Sequence, residues 1–141
     1  MPRVSVWLVR ASLLHLLSGA ILGASYLAWR AAGWLPYAAT HRPVHVEQML
    51  VGWLVQLVIG VAWWILPRPE AGVSRRAAAL IWLVFVLLNT GVLLVALAAT
   101  MMPDVLLPAG RVAETAAVAL FAALAWNRQR SYRATARRVL V

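Results

Sequence analysis

The segment HRPVHVEQMLVGW, residues 41–53, places two histidines, an arginine and a glutamate just before an apolar run. Histidines spaced as H-x3-H, with a carboxylate nearby, can bind a divalent metal ion. Pro43 argues against such a site, because proline is typical of the first turn of a helix. If the helix begins there, His41 lies in the preceding loop and has no fixed helical relation to His45.

A second group of charged residues, Asp104, Arg111 and Glu114, lies around the start of the last apolar run. Glu114 is a few residues inside that run, where an ionised carboxylate is costly. It should therefore pair with an arginine, either Arg42 or Arg111, or else carry a proton.

The composition predicts a membrane protein. Of 141 residues 64% are hydrophobic and only 12% are charged, and the mean hydropathy is +0.82. A soluble domain would have too few polar residues to cover helices of this kind, whereas lipid accepts them directly. The net charge of +9 does not indicate nucleic-acid binding, because all the basic residues are arginines that lie between and after the apolar runs. The chain has no cysteine, which excludes disulfides and thiolate metal sites.

Four apolar runs are long enough to cross a bilayer, approximately residues 11–29, 46–66, 77–100 and 107–126. The predicted fold is an all-α membrane protein, a single up-down bundle of four transmembrane helices. Counting arginines on alternate sides gives ten on one side and three on the other. The positive-inside rule then places both termini in the cytoplasm. Residues 127–141 are predicted to form a basic cytoplasmic tail that binds anionic lipid or only fixes the topology.

Polar residues inside the runs follow helical spacing. In the second run one face carries His45, Met49, Gly52, Gln56, Ile59 and Trp63. Gly52 and Gly60 would let a neighbouring backbone or a flat ligand come close. Gln56 and Asn89 of the third run are at comparable depth, so a Gln56–Asn89 bridge between helices is predicted.

In the first run, the pattern GAILG at residues 19–23 is typical of close helix packing. His15 lies on the same stripe, near the predicted inner end. His45 lies near the outer end, so the two histidines should be separated by on the order of 20 Å. A single haem iron could not be shared across that distance.

The segment RPVHVEQMLVGW, followed by GVAWWILPR, resembles the second transmembrane helix of catalytic subunits in the haem-copper oxidase superfamily, especially cbb3-type oxidases and nitric oxide reductases. In that family the matching histidine is an axial ligand of low-spin haem b. The resemblance therefore implies haem b at His45, with Arg42 and Gly52 beside it. LLNTG, residues 87–91, also resembles the family's next helix. The family's catalytic subunit has about twelve helices and further histidine ligands, and this chain has no histidine after His45.

The leading hypothesis is thus a small accessory subunit of a respiratory or denitrification haem-copper enzyme, not catalytic alone, which binds haem b through His45. The alternative is a non-haem assembly or stabilising protein in which His45, Arg42 and Glu114 form only a polar cluster at the outer face. A small transporter or sensor, with Gln56, Asn89 and Glu114 lining a path, ranks last. The expected partners are membrane lipid and either a larger membrane complex or further copies of this chain, in a bacterial or archaeal plasma membrane.

Overall fold

The computed structural model describes residues 1–33, 35–67, 74–101 and 105–139, with residues 35–40 and 130–139 as backbone only. Regular structure in these ranges is helical. The elements are α1 (Arg3–Ala31), α2 (Leu35–Glu47), a π-helix (Gln48–Val55), α3 (Gln56–Ile65), α4 (Arg75–Met101) and α5 (Leu106–Val139).

Four stretches are long and apolar enough to cross a membrane. We call them span 1 (Arg3–Ala31), span 2 (His41–Ile65), span 3 (Arg75–Met101) and span 4 (Leu106–Gln129). The predicted all-α class with four membrane-spanning helices is confirmed, and the chain is a multi-pass membrane protein. Span 1 begins eight residues before the apolar run suggested, because the polar residues at its start are helical too.

Span 2 is continuous through an α-helical, a π-helical and a second α-helical segment. Pro43 lies inside α2, whose backbone begins at Leu35. The expectation that the helix starts at Pro43, with His41 in a loop, is therefore wrong. Proline has no N–H to donate and disturbs the preceding turn. The helix tolerates it and continues into the π-helix Gln48–Val55, a rare geometry that often occurs at functional sites.

Spans 1 and 2 pack closely because glycines of one helix receive side chains of the other. A Cβ built on Gly52 would lie 2.7 Å from Cγ of His15, and one on Gly60 would lie 2.9 Å from Cβ of Leu8. From Gly52 to Gly60 the residue number in span 2 increases, while that of the contacted residue in span 1 decreases from His15 to Leu8. The two helices therefore run antiparallel. Gly19 and Gly23 of the GAILG pattern lie in this interface, as predicted.

The apolar core receives side chains from all four spans. It consists of Val4, Leu8, Ile59, Trp63, Ile81, Val84, Leu88 and Ala117. Spans 3 and 4 cross at Gly91 and Gly110, where a Cβ on Gly110 would lie 2.9 Å from the Gly91 carbonyl oxygen. Many large apolar side chains point outward, among them Leu14, Ile65 and Val112.

The predicted tail does not begin as a separate segment. α5 runs without interruption from Leu106 to Val139, so residues 127–139 continue the helix of span 4. Residues 140–141 lie outside the described part of the chain. Arg128, expected to be one of the arginines of this tail, is buried against the end of span 2.

Candidate functional site

His15 is the centre of a hydrogen-bonded group that joins three spans. Its Nδ1 is hydrogen-bonded to the side-chain amide of Gln48 in span 2, and its Nε2 lies 3.1 Å from Oδ1 of Asn89 in span 3. The hydroxyl of Ser18 lies 3.1 Å from Oε1 of Gln48 and 3.1 Å from the His15 carbonyl oxygen. We call these four residues the His15 hub.

The local sequence explains why the imidazole fits at this point. Gly52 has no side chain, and the base of the His15 ring occupies the space that a Cβ would fill. Gln48 is the first residue of the π-helix and is buried. Asn89 is held in place because its Nδ2 donates a 2.8 Å hydrogen bond to the Phe85 carbonyl in the preceding turn. Gly52, predicted to admit a flat ligand, instead receives His15 of the same chain.

The predicted Gln56–Asn89 bridge is wrong. Gln56 is fully buried, but its Nε2 donates to the Leu8 carbonyl of span 1 at 3.4 Å, while its Oε1 has no hydrogen-bond partner among the described residues. Asn89 bonds to His15 instead. Similar depth in the membrane did not determine which way either side chain points. Gln56 faces span 1, not Asn89.

His45 also contacts span 1. Its Nδ1 donates to the Gly19 carbonyl at 2.7 Å, and its ring lies over Gly23, where a Cβ would be 2.7 Å from Cε1. Gly19 is one helical turn, about 6 Å, from His15. The two histidines therefore lie one to two turns apart, and the expected separation of 20 Å is wrong. The error arose because span 1 begins at Arg3, which places His15 deep in the helix.

Charged residues of spans 2 and 4 form a second cluster. Nη1 of Arg111 lies 2.8 Å from Oε2 of Glu47 and 2.8 Å from Oε2 of Glu114. The arginine side chain is 51% exposed, whereas the glutamate side chains are only 4% and 8% exposed. Oε1 of each glutamate is buried without a hydrogen-bond partner in the described structure. Of the alternatives predicted for Glu114, which were a pair with Arg42, a pair with Arg111, or protonation, the structure shows the pair with Arg111, and Glu47 joins it.

Other residues expected near this cluster behave differently. Arg42 is exposed, and Asp104 lies outside the described residues. His41 is helical, and its ring packs edge-on against Trp29 with centroids 4.2 Å apart. Within the described part of the chain, no group of three or more His, Cys, Asp or Glu side chains could hold a metal ion.

The sequence reasoning missed Arg128. Its guanidinium donates to the carbonyls of Pro67 at 2.6 Å, Leu66 at 2.7 Å and Trp63 at 3.1 Å, and it lies 4.6 Å from the centre of the Trp63 ring. These carbonyls end α3 and have no partner within their helix, so Arg128 caps span 2 from span 4. One signal was available, since Arg128 lies two residues after the end of an apolar run.

The residues fit haem in one respect only. An axial histidine is commonly oriented by a hydrogen bond from its second ring nitrogen to a carbonyl, as Nδ1 of His45 donates to Gly19. His15 cannot supply the other axial position, because both of its ring nitrogens are hydrogen-bonded. The space at Gly52 is filled. A single axial ligand is thus the most that these residues offer.

Comparison of the chain with protein-family models, with curated proteins and with solved structures gives no match.

Proposed function

We propose that this chain is a non-catalytic accessory subunit that stabilises a larger membrane complex. The observation that carries the proposal is the use of interior polar side chains for contacts between helices. His15 joins spans 1, 2 and 3, Arg111 joins spans 2 and 4, and Arg128 caps span 2. Polar contacts of this kind fix the relative positions of membrane helices, as a rigid scaffold requires.

The outward faces support a role in association. Large apolar side chains are exposed on every span, including Leu17, Leu50, Leu93 and Val118. Such faces contact lipid or the helices of a neighbouring membrane protein. The resemblance of residues 42–53 to helix two of haem-copper catalytic subunits makes an enzyme of respiration or denitrification our proposed partner, in a bacterial or archaeal plasma membrane with both termini cytoplasmic.

A second candidate function is haem b binding, favoured by the hydrogen bond from Nδ1 of His45 to Gly19. His45 would be the single axial ligand, and Arg42, exposed three residues earlier, would pair with a propionate. Haem bound there supplies one-electron transfer. The chain's own part is to hold the imidazole in one tautomer.

The partner role is tested by isolating the tagged full chain from native membranes in a mild detergent and identifying what copurifies. The expected result is a stoichiometric membrane enzyme that contains haem. Recovery of the chain alone, or only with copies of itself, from membranes that contain such an enzyme would contradict the proposal.

The haem candidate is tested separately by a pyridine haemochrome spectrum of the purified chain. The informative variant is His45→Asn, because its amide can still donate to the Gly19 carbonyl but is a poor iron ligand. We expect wild-type protein to show haem b and the variant to lose it, while His41→Asn retains it. A colourless wild-type preparation would contradict haem binding and would not bear on the partner role.

A further inference from the structure

In the His15 hub, the Ser18 hydroxyl lies within hydrogen-bond distance of two acceptors but has only one proton to donate. The two acceptors are Oε1 of Gln48 and the His15 carbonyl, each 3.1 Å from Ser18 Oγ. Nδ1 of His15 faces the same amide oxygen of Gln48. The direction of the Ser18 hydrogen bond, the orientation of the Gln48 amide and the proton on Nδ1 are therefore linked.

The Asn89 side of the hub is fixed. Because Nδ2 of Asn89 donates to the Phe85 carbonyl, its Oδ1 faces His15 and accepts from Nε2–H. Nε2 thus carries a proton whatever the state of Nδ1. Any change of protonation takes place on the Gln48 side of the ring.

Two complete hydrogen-bond patterns satisfy these constraints. In the first, Nδ1 is protonated, and both Nδ1–H and the Ser18 hydroxyl donate to Oε1 of Gln48. In the second, Nδ1 is unprotonated, the Gln48 amide is turned over, and its two N–H bonds donate to Nδ1 and to Ser18 Oγ. The Ser18 hydroxyl then donates to the His15 carbonyl. In both patterns the two ring nitrogens of His15 and the Ser18 hydroxyl have a partner, and the patterns differ in which atom of the Gln48 amide faces His15 and Ser18.

We propose that the His15 hub is a proton-binding site, in which uptake of one proton at Nδ1 turns the Gln48 amide and redirects the Ser18 hydroxyl. The proton is taken from a hydronium ion of the bulk solution: one O–H bond of hydronium breaks, the N–H bond at Nδ1 forms, and a water molecule is left. Because Gln48 begins the π-helix of span 2, the proton changes how span 2 is bonded to span 1.

The charged side chains of the spans that pack around His15 do not contact its imidazole. Glu47, beside Gln48 in span 2, is paired with Arg111 of span 4. Span 3 has ionisable side chains only at its first two residues, Arg75 and Arg76, whereas Asn89 lies near its middle. Arg10 of span 1 is exposed. His45 of span 2 donates its Nδ1–H to the Gly19 carbonyl, and the described hydrogen-bond partners of the His15 imidazole are thus two neutral amides.

The test uses nitrogen NMR of the full chain labelled in histidine and glutamine side chains, in phosphatidylcholine nanodiscs over a pH series. The His15 signals are assigned by their loss in His15→Asn. We expect Nε2 to stay protonated throughout, Nδ1 to gain a proton on acidification, and the Gln48 amide signal to change in the same step. Constant Nδ1 protonation while the protein remains folded, or a Gln48 amide that does not respond, would overturn the proposal.

A matched pair of variants strengthens the test. In Gln48→Glu the ionised carboxylate only accepts hydrogen bonds. Nδ1 of His15 should therefore remain protonated at pH values at which the wild-type Nδ1 has lost its proton. Gln48→Met offers no partner, so the coupled amide step should disappear. The His41 signals should be unchanged in both variants, because His41 contacts Trp29 rather than the hub. If Gln48→Glu leaves Nδ1 as in wild type, the linkage is wrong.

Discussion

Two arginines hold span 4 against span 2 at opposite ends, and they do so with different partners. Arg111 binds two nearly buried carboxylates, whereas Arg128 is itself buried and binds three backbone carbonyls. The first contact balances charge, and the second satisfies the end of a helix. The same residue type therefore acts in one place as a counter-ion and in the other as a cap.

The comparison predicts unequal consequences when each arginine is removed. Loss of Arg111 leaves Glu47 and Glu114 facing one another without a cation. Loss of Arg128 leaves neutral carbonyls at a helix end, of which Pro67 is exposed. An uncompensated charge in a nonpolar region costs more than an unpaired dipole.

The largest effect is expected for Arg111→Met, with a loss of about 4 kcal/mol in the free energy of unfolding, because two nearly buried carboxylates lose the half-exposed cation that balances them. Reversible unfolding in mixed micelles, followed by circular dichroism, measures it. The triple variant Arg111→Met, Glu47→Gln, Glu114→Gln should recover most of this loss. Equal damage in the single and triple variants would show that charge balance is not the role of Arg111.

Arg128→Met should lower the free energy of unfolding by about 3 kcal/mol, since three charge-assisted hydrogen bonds are lost and water can reach part of the helix end. The same unfolding assay applies. Arg128→Lys keeps the charge but lacks the planar fork, so it should recover only about half. Full recovery by lysine would mean that charge near the helix end, rather than capping geometry, is what matters.

Gly91→Ala tests whether the backbone crossing next to Arg111 positions Glu114. The new Cβ would lie 2.6 Å from Cγ of Glu114 and 3.0 Å from the Gly110 carbonyl oxygen, so the spans must separate, at a cost of about 2 kcal/mol. Gly19→Ala is the comparison variant, because its Cβ meets side-chain atoms rather than backbone, namely Sδ of Met49 at 2.8 Å and Cβ of Gln48 at 3.2 Å. A thermal-shift assay in detergent should rank Gly91→Ala well below Gly19→Ala.

The smallest effect is expected for Arg42→Ala. Arg42 is exposed, and the carboxylate that it was expected to neutralise is paired with Arg111. The midpoint of unfolding should not change measurably. A loss comparable to that of Arg111→Met would show that Arg42 belongs to the cluster after all.

The sequence was sufficient for the four spans. Runs of apolar residues reveal membrane helices because lipid requires the whole backbone to be satisfied within each segment. For Glu114 it left a pair with Arg42, a pair with Arg111 or protonation open, and the pair with Arg111 is the one that helix geometry alone permits, since the two residues are three apart on one helix.

The remaining contacts depend on how helices are rotated and aligned, which residue types do not reveal. Arg128 binds carbonyl oxygens, and every residue of the chain has one. Asn89 could bond to Gln56 or to His15, and the choice depends on the alignment of spans 1 and 3. Pro43 shows the reverse problem, since a residue that usually starts helices lies within one here.

The uninterrupted length of α5 has a mechanical consequence. Its 34 residues extend roughly 50 Å, well beyond a hydrocarbon layer of about 30 Å. The helix continues for about 15 Å beyond Gln129. Because Arg128 binds the end of span 2 just before this extension, a protein that binds residues 130–139 would displace span 2 together with span 4.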